Sequence, residues 1–397
     1  MTPAARIAAA AEVLDLVLAQ EPAEKALTGW ARRSRFAGSG DRAAIRDLVF
    51  DALRRKRSLA ALGGAMTGRG LMLGLMRAQA QDVDQLFTGQ GHALPPVSDD
   101  ERQAFREPAA GPEACDIPDW LWPGFLEILG DRAATVAGTL QARGPVMLRV
   151  NLRKTSLQAA LAGLAAEGIV AEPDPVASTA LRVVEGARQV ARSAAYLSGA
   201  VELQDGSSQA ITDELHLPEH GKILDFCAGG GGKALAMAAR TDARILAHDA
   251  QPGRMKDLAA RAARADVRIT QVATPQLEAE APFDLILCDA PCSGSGAWRR
   301  APEGKWALTP ERLTELTEIQ DSILAQAAAL VSPRGVLAYA TCSVLRTENE
   351  GRVAAFLAAH PDWRQLSARR WEPGPSGDGF FLARLQRRDA AGVSGEN

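Results

Sequence analysis

No stretch of this sequence reaches the ~18 consecutive apolar residues that a membrane helix needs. No two cysteines have the C-x-x-C spacing of a zinc site, and neither sign of charge dominates. The Ala- and Leu-rich start from Ile7 to Leu18 is interrupted by Glu12 and Asp15 and followed by no cleavage pattern, so it reads as a helix rather than a signal peptide. A cytoplasmic protein with no membrane partner is expected. The five cysteines (Cys115, Cys227, Cys288, Cys292, Cys342) are odd in number and scattered, which argues for reduced thiols and against both a disulfide framework and a bound metal. With 45 basic against 48 acidic residues the net charge is -3, so no global basic field advertises nucleic acid. Any such binding must come from local clusters: Arg32, Arg33, Arg35; Arg54, Arg55, Lys56, Arg57; Arg149, Arg153, Lys154; and Arg299, Arg300, Lys305. Each alone reads as ordinary solvated surface.

What is present is the make-up of a soluble globular chain, 47% hydrophobic and 23% charged, and 397 residues predict two or three domains. From Pro3 to about Leu62 the apolar spacing is helical, with Ile7, Ala11, Leu14 and Leu18 on one face and Ile45, Leu48, Val49, Ala52 and Leu53 on another. The glycines from Gly63 to Gly74, and the stretch from Gly89 to Gly111 with Pro95, Pro96 and Pro108, read as turns or a loose connection. Helix returns from Ile117 to Leu129. A strand-like Val146, Leu148, Val150, a helix from Ser156 to Glu167 and short β pieces near Leu181 make a small α/β module. Beyond Gln204 strands alternate with helices: Ile223 to Phe226, Arg244 to His248, Phe283 to Cys288 and Gly335 to Ala340. That alternation predicts an α/β fold with a doubly wound, mostly parallel sheet. The expected division is a helical domain over 1–140, the α/β module over 141–200, the doubly wound domain over 201–388 and a disordered tail over 389–397.

Two loops carry candidate chemistry. Between the first strand and its helix stands Cys227-Ala228-Gly229-Gly230-Gly231-Gly232-Lys233, which serves equally as a tight βα turn or as a cradle for a nucleotide. Ala234 after Lys233 departs from a phosphate loop. Asp249, at the end of the next strand, is placed to hold ribose hydroxyls, so an adenosine-type ligand fits. The second loop is Asp289-Ala290-Pro291-Cys292-Ser293-Gly294-Ser295-Gly296, and a further thiol, Cys342, begins the loop after the last parallel strand. One crossover separates them, with a helix whose start is marked by Thr309-Pro310 and whose apolar face is Leu316, Ile319, Ile323, Ala327 and Leu330. If it joins neighbouring strands, ~4.8 Å apart, both thiols share one pocket. Two thiols beside a cofactor suit methylation at C5 of a pyrimidine. Thiolate attack at C6 makes C5 nucleophilic, and a base then removes the C5 proton so that the thiol can leave. Lys233 is the cation available to lower a thiol from its usual ~8.5, and Asp289 is the acid available to N3 of cytosine.

Asp289 to Gly296, Thr341-Cys342-Ser343 continuing to Glu350, and Gln204-Asp205-Gly206-Ser207-Ser208-Gln209 together resemble the Sun/Fmu (RsmB-like) RNA cytosine-C5 methyltransferases. The resemblance covers roughly Ile117 to Leu385. It implies a Rossmann-like class I methyltransferase domain preceded by an RRM-like module, with S-adenosylmethionine as cofactor and RNA, in the first place small-subunit ribosomal RNA, as substrate. It implies that Cys342 is the nucleophile, that Cys292 assists product release, and that Cys227 to Lys233, Asp249 and Asp289 line the cofactor and target-base pocket. Asp41-Arg42-Ala43 and Leu48 to Arg54 resemble a NusB-like RNA-binding domain, which promotes Arg54, Arg55, Lys56 and Arg57, with Arg149, Arg153 and Arg300, to phosphate contacts. Two departures stand out. The family's Ala-Pro-Gly-Gly-Lys is here Gly229-Gly230-Gly231-Gly232-Lys233, and its adenine-binding acid after the third strand is missing from Gln271-Val272-Ala273-Thr274. The alternatives are the same chemistry on transfer RNA, or a non-catalytic ribosome-assembly factor. Nothing in the sequence demands more than a monomer.

Overall fold

The computed structural model describes residues 1–388, and the expected disordered tail lies outside them. The chain forms two units. One is Met1–Arg143 together with Trp298–Ala307, and the other is Gly144–Ala297 with the chain from Leu308 onward.

The first unit is helical. Its opening helix, Pro3–Leu18, starts where the Thr2 hydroxyl accepts the Ala5 amide and a proline takes the first position. Ile7, Ala11 and Leu14 are buried with Ile45, Val49 and Leu53 from the helix Ser39–Arg54. The segment Gly63 to Gly74 is not the turn or loose connection that its glycines suggest. Lys56–Gly63 and Gly68–Ala78 are two helices bent by 89° about Gly64, whose φ of +82° suits glycine. The other glycines are there for close approach. A Cβ on Gly63 would lie 1.8 Å from the Gly70 carbonyl oxygen, and one on Gly74 would lie 2.0 Å from that of Leu59. Gly74→Ala is therefore expected to destabilise this unit by about 1–3 kcal/mol through overpacking, visible as a lowered thermal midpoint with no change in helical circular dichroism at low temperature. No single helix among the described residues is long and apolar enough to cross a membrane.

Trp298–Ala307 leaves the doubly wound region, which the sequence reads as continuous, and completes the helical unit. Trp298 is buried and stacks on Phe125 with ring centroids 6.1 Å apart. Lys305 Nζ donates to the Arg54 carbonyl (2.9 Å), Arg54 Nε donates to the Arg299 carbonyl (2.6 Å), and Trp306 Nε1 donates to the Leu53 carbonyl (2.7 Å). Burial pulls Lys305 down to about 7, against the opposing pull of Asp116. One expected phosphate contact, Arg54, is corrected here, and so is the solvated-surface reading of Arg299 and Lys305. Arg54, Arg299 and Lys305 are all buried; Arg54 and Lys305 are drawn in because backbone carbonyls here need donors and these two side chains supply them.

The second unit carries two sheets. The smaller contains β1 (Met147–Val150), β2 (Val170–Pro173), β3 (Ala180–Glu185) and β4 (Val201–Leu203), antiparallel in the order β2-β3-β1-β4. The larger contains β5 (Lys222–Asp225), β6 (Arg244–Ala247), β7 (Ile269–Gln271), β8 (Phe283–Asp289), β9 (Val331–Thr341), β10 (Trp363–Trp371) and β11 (Phe380–Arg387). Its order is β10-β11-β9-β8-β5-β6-β7, parallel from β9 to β7, with β11 and β10 antiparallel at one edge. The chain winds outward from β5 through β6 to β7 and then returns to β8 on the other side of β5. The carboxyl ends of β5 and β8 therefore flank a topological switch point, where such sheets open a crevice.

The crossover between β8 and β9 is the helix Pro310–Leu330, capped by Thr309. Of its expected apolar face, Leu316, Ile323, Ala327 and Leu330 are buried, whereas Ile319 is exposed and Gln320 is wholly buried in its stead. One more expected RNA contact, Arg149, is corrected in this unit, while Arg153 is engaged by backbone carbonyls but exposed. Arg149 is buried and donates to Gln204 Oε1 and to the Gly232 carbonyl (2.8 Å). Arg153 donates to the Ala238 (3.0 Å) and Thr241 (2.6 Å) carbonyls and pairs with Asp242. These arginines join the small sheet to the large one, because the carbonyls at both ends of the helix Gly232–Ala238 lie within their reach.

Candidate active site

At the end of β5 the chain turns through Cys227 to Gly231 into the helix Gly232–Ala238. Gly229 and Gly231 have φ of +52° and +79°, which glycine adopts without strain. A Cβ on Gly231 would lie 2.2 Å from Leu258 Cδ1. The four-glycine run is thus a defined turn, two of whose members are required by conformation. Asp249, after β6, accepts the Gly229 amide and the Gln251 amide, both at 2.9 Å, and pairs with Arg254 at 3.3 Å. Thr274 Oγ1 is 3.0 Å from His248 Nε2, whose other ring nitrogen meets the Phe226 carbonyl.

Asp225, the last residue of β5, is fully buried, and neither carboxylate oxygen meets a donor in normal hydrogen-bond geometry. Burial, reinforced by Asp289, pushes it up to about 7, with Lys233 opposing. Lys233 Nζ donates to Asp289 Oδ2 at 2.6 Å and lies 5.0 Å from the centre of the Phe380 ring. Burial alone would lower Lys233, but Asp289 and then Asp225 hold it above its ordinary value.

Because β8 and β9 are parallel neighbours in register from Leu285 to Asp289, the loops that follow them lie side by side. The sulfurs of Cys292 and Cys342 are 3.5 Å apart. Cys292 is held well above the usual thiol range by its contact with Cys342, by burial, and by the nearby Glu348 carboxylate. Burial also pushes Cys227 up, further than a reactive thiol allows.

A cavity of about 520 Å³ joins these features. Cys227, Ala228, Gly229, Gly230, Gly232 and Lys233 line one side, and Asp289, Cys292 and Cys342 the other. Gly231 and Asp249 are not on its wall: the first faces Leu258, and the carboxylate of the second is taken up by the turn's own amides and by Arg254. Asp225, Gln204, Ser208, Arg254, Arg312 and Leu316 also line the cavity, and none of them is among the site residues expected from the sequence. The signal for Asp225 is an acid closing a short apolar strand four residues before a glycine run, and Gln204 and Ser208 belong to the Gln204 to Gln209 motif.

Two family models match. Residues 213–386 fit the 16S rRNA methyltransferase RsmB/F model, and residues 117–190 fit the RsmF/B-like ferredoxin-like domain. The chain is 34% identical over 337 residues to ribosomal RNA small subunit methyltransferase B of Sodalis glossinidius, covering 81% of this chain and 73% of that protein. The chain belongs to the RsmB/F family of rRNA methyltransferases. The same-named protein of Yersinia pestis is 33% identical over 287 residues, 68% of this chain and 66% of that one. Among solved structures, PH0851 has a TM-score of 0.76 at 22% identity, over 98% of this chain and 99% of that one. NSun6 from Pyrococcus horikoshii with SFG scores 0.60 at 18% identity, over 68% and 98%. These two share the fold.

S-adenosylmethionine is the methyl donor of RsmB/F enzymes, and the cavity fits it. The buried carboxylate of Asp225 meets no donor in normal hydrogen-bond geometry and suits a ligand bearing positive charge, while the glycines at Gly229 and Gly230 let a ligand approach the backbone.

Proposed function

We propose that this protein methylates C5 of a cytosine in small-subunit ribosomal RNA through a covalent adduct between Cys342 and C6 of the ring. The observation that carries this reading is the pair of sulfurs 3.5 Å apart in one cavity with the Lys233–Asp289 ion pair. S-adenosylmethionine supplies the methyl group. Cys342 is the nucleophile, and Lys233 lies close enough to interact with its charge. Asp289 serves N3 of the cytosine, drawing charge from the ring as C6 is attacked. Cys292 keeps its proton at neutral pH and so stays out of the attack. After methyl transfer a base takes the C5 proton, the C6–sulfur electron pair returns to Cys342, and Cys292 stands beside that sulfur as it is expelled. Gly229, Gly230, Gly232 and Asp225 hold the cofactor. Asp249 shapes the turn and reaches ribose hydroxyls by exchanging Arg254. Of the expected RNA contacts, Arg55 keeps its place as a phosphate contact; Lys56, Arg57 and Arg300 are weaker candidates, the first two already meeting Trp306 and Asp119.

The test is to incubate the protein with unmodified small-subunit ribosomal RNA and methyl-labelled S-adenosylmethionine, digest the RNA and separate the nucleosides. Label in 5-methylcytidine is expected, with transfer RNA unlabelled in parallel. Label in any other nucleoside refutes the reading, and absence of any heat on titrating the cofactor points to the assembly factor.

Asp225 gives this binding a pH dependence. Its carboxyl is raised from 3.8 to about 7 in the free protein, so below pH 7 it must lose a proton before it can face a cation. Cofactor affinity is then expected to rise roughly tenfold per pH unit from 5 to 7 and to level off above, with proton release on binding at pH 6. The same shift costs the free protein stability as pH climbs from about 4 to 7. Calorimetry across this range should find both slopes removed in Asp225→Asn, and a flat affinity profile in the parent protein contradicts the assignment.

A further inference from the structure

The buried carboxylate of Glu348 stands where the two cysteine loops meet. Its Oε1 accepts the Ser293 amide (2.7 Å) and Gln320 Nε2 (3.2 Å), and its Oε2 accepts the hydroxyls of Ser293 (2.5 Å) and Ser343 (2.5 Å). Ser293 directly follows Cys292, and Ser343 directly follows Cys342, so one side chain grips both thiols by their next residues. Gln320, the polar residue buried on the crossover helix, also donates to the Pro291 carbonyl (2.9 Å), just before Cys292. The loops are further joined by the Gly296 amide on the Cys342 carbonyl (2.9 Å) and by the Ser295 and Ser343 hydroxyls (2.9 Å).

Among the described residues no lysine or arginine pairs with Glu348, and all four donors are neutral. A wholly buried carboxylate is a costly way to tie two loops, since a neutral amide would desolvate more cheaply. Its charge therefore has a use, and the thiol it faces is Cys292. The titratable groups that meet Cys292 are Cys342, Glu348 and the Tyr339 phenol, while Lys233, Asp289 and Arg312 line the same cavity. Glu348 opposes ionisation of Cys292, whereas Lys233 interacts with Cys342.

We propose that Glu348 is a positioning residue that sets the two sulfurs against each other and divides their labour, holding Cys292 out of the attack so that Cys342 alone makes it. This rests on the methyl-transfer reading above, but its decisive test needs no methyl transfer. In a Cys342→Ser background, the rate at which iodoacetamide alkylates Cys292 is followed against pH by peptide mass spectrometry, with and without Glu348→Gln. The amide variant is expected to shift the Cys292 profile down by about one pH unit and to raise its rate at pH 8 about tenfold. Glu348→Asp, which keeps the charge, is expected to restore the parent profile. Identical profiles for Glu348 and Gln overturn the charge role. Ser343→Ala removes the grip on the Cys342 loop and leaves the charge. It is expected to lower kcat about tenfold with KM for RNA and the Cys292 profile unmoved, and an unchanged kcat overturns the positioning role. If Glu348→Gln fails to fold by circular dichroism, Glu348→Asp and Ser343→Ala decide: a parent-like Cys292 profile in both with the kcat loss supports the proposal, and any other result overturns it. A shifted profile in a protein that makes no 5-methylcytidine retires the cytosine reading and keeps the grip of Glu348 on the thiols.

Discussion

Cys342→Ala is expected to reduce methyl transfer at least ~10³-fold while leaving S-adenosylmethionine binding intact. C5 of cytosine has little nucleophilicity until C6 carries a substituent, so removing the attacking sulfur removes the step that activates the ring rather than slowing one that proceeds without it. Cys292, 3.5 Å away, is poorly placed to stand in. Its contact with Cys342, its burial and the Glu348 charge all favour its thiol form, and alanine at 342 relieves only the first. Transfer of labelled methyl to ribosomal RNA, measured beside calorimetric titration of the cofactor, checks both halves. Full activity in this variant would sink the covalent mechanism.

The companion substitution has an effect of the opposite kind. On the proposed mechanism Cys292→Ala leaves Cys342 able to attack and the ring able to take its methyl group, but removes the thiol 3.5 Å from the sulfur that must be expelled. A covalent protein–RNA complex is expected to accumulate, visible as a slow band on a denaturing gel that needs both RNA and S-adenosylmethionine and disappears on nuclease digestion. In the double variant with Cys342→Ala no such band should form. A band in Cys342→Ala but not in Cys292→Ala would reverse the assignment of the two cysteines.

The parts of this site legible in the sequence are those where local pattern and topology coincide. Short apolar runs closing on Asp225, Asp289 and Thr341 mark the carboxyl ends of parallel strands, and one crossover between β8 and β9 suffices to bring Cys292 and Cys342 together. Glycine was harder to read, since it serves both a tight turn and the near contact of two helices, and nothing local separates these uses. Gly229 and Gly231 are of the first kind and Gly63 and Gly74 of the second. Arginine clusters misled for a related reason. Composition reveals a charge but not the direction of a long side chain, and Arg54 and Arg149 point from buried positions to backbone carbonyls. Gln320 was hidden by the helical period itself, which favoured the apolar Ile319 beside it, although the buried position belongs to the amide that reaches Glu348 and Pro291.

The passage of Trp298–Ala307 into the helical unit bears on the order in which this protein is made. Domains ordinarily fold as the ribosome releases them, the amino-terminal one first. Here the helices up to Arg143 emerge early, yet the residues that supply Trp298 to Phe125 and Lys305 to the Arg54 carbonyl follow only after β8 has been synthesised. The first unit to begin is thus not complete until Ala307 has left the ribosome, and its last pieces arrive on the same stretch of chain that delivers Cys292.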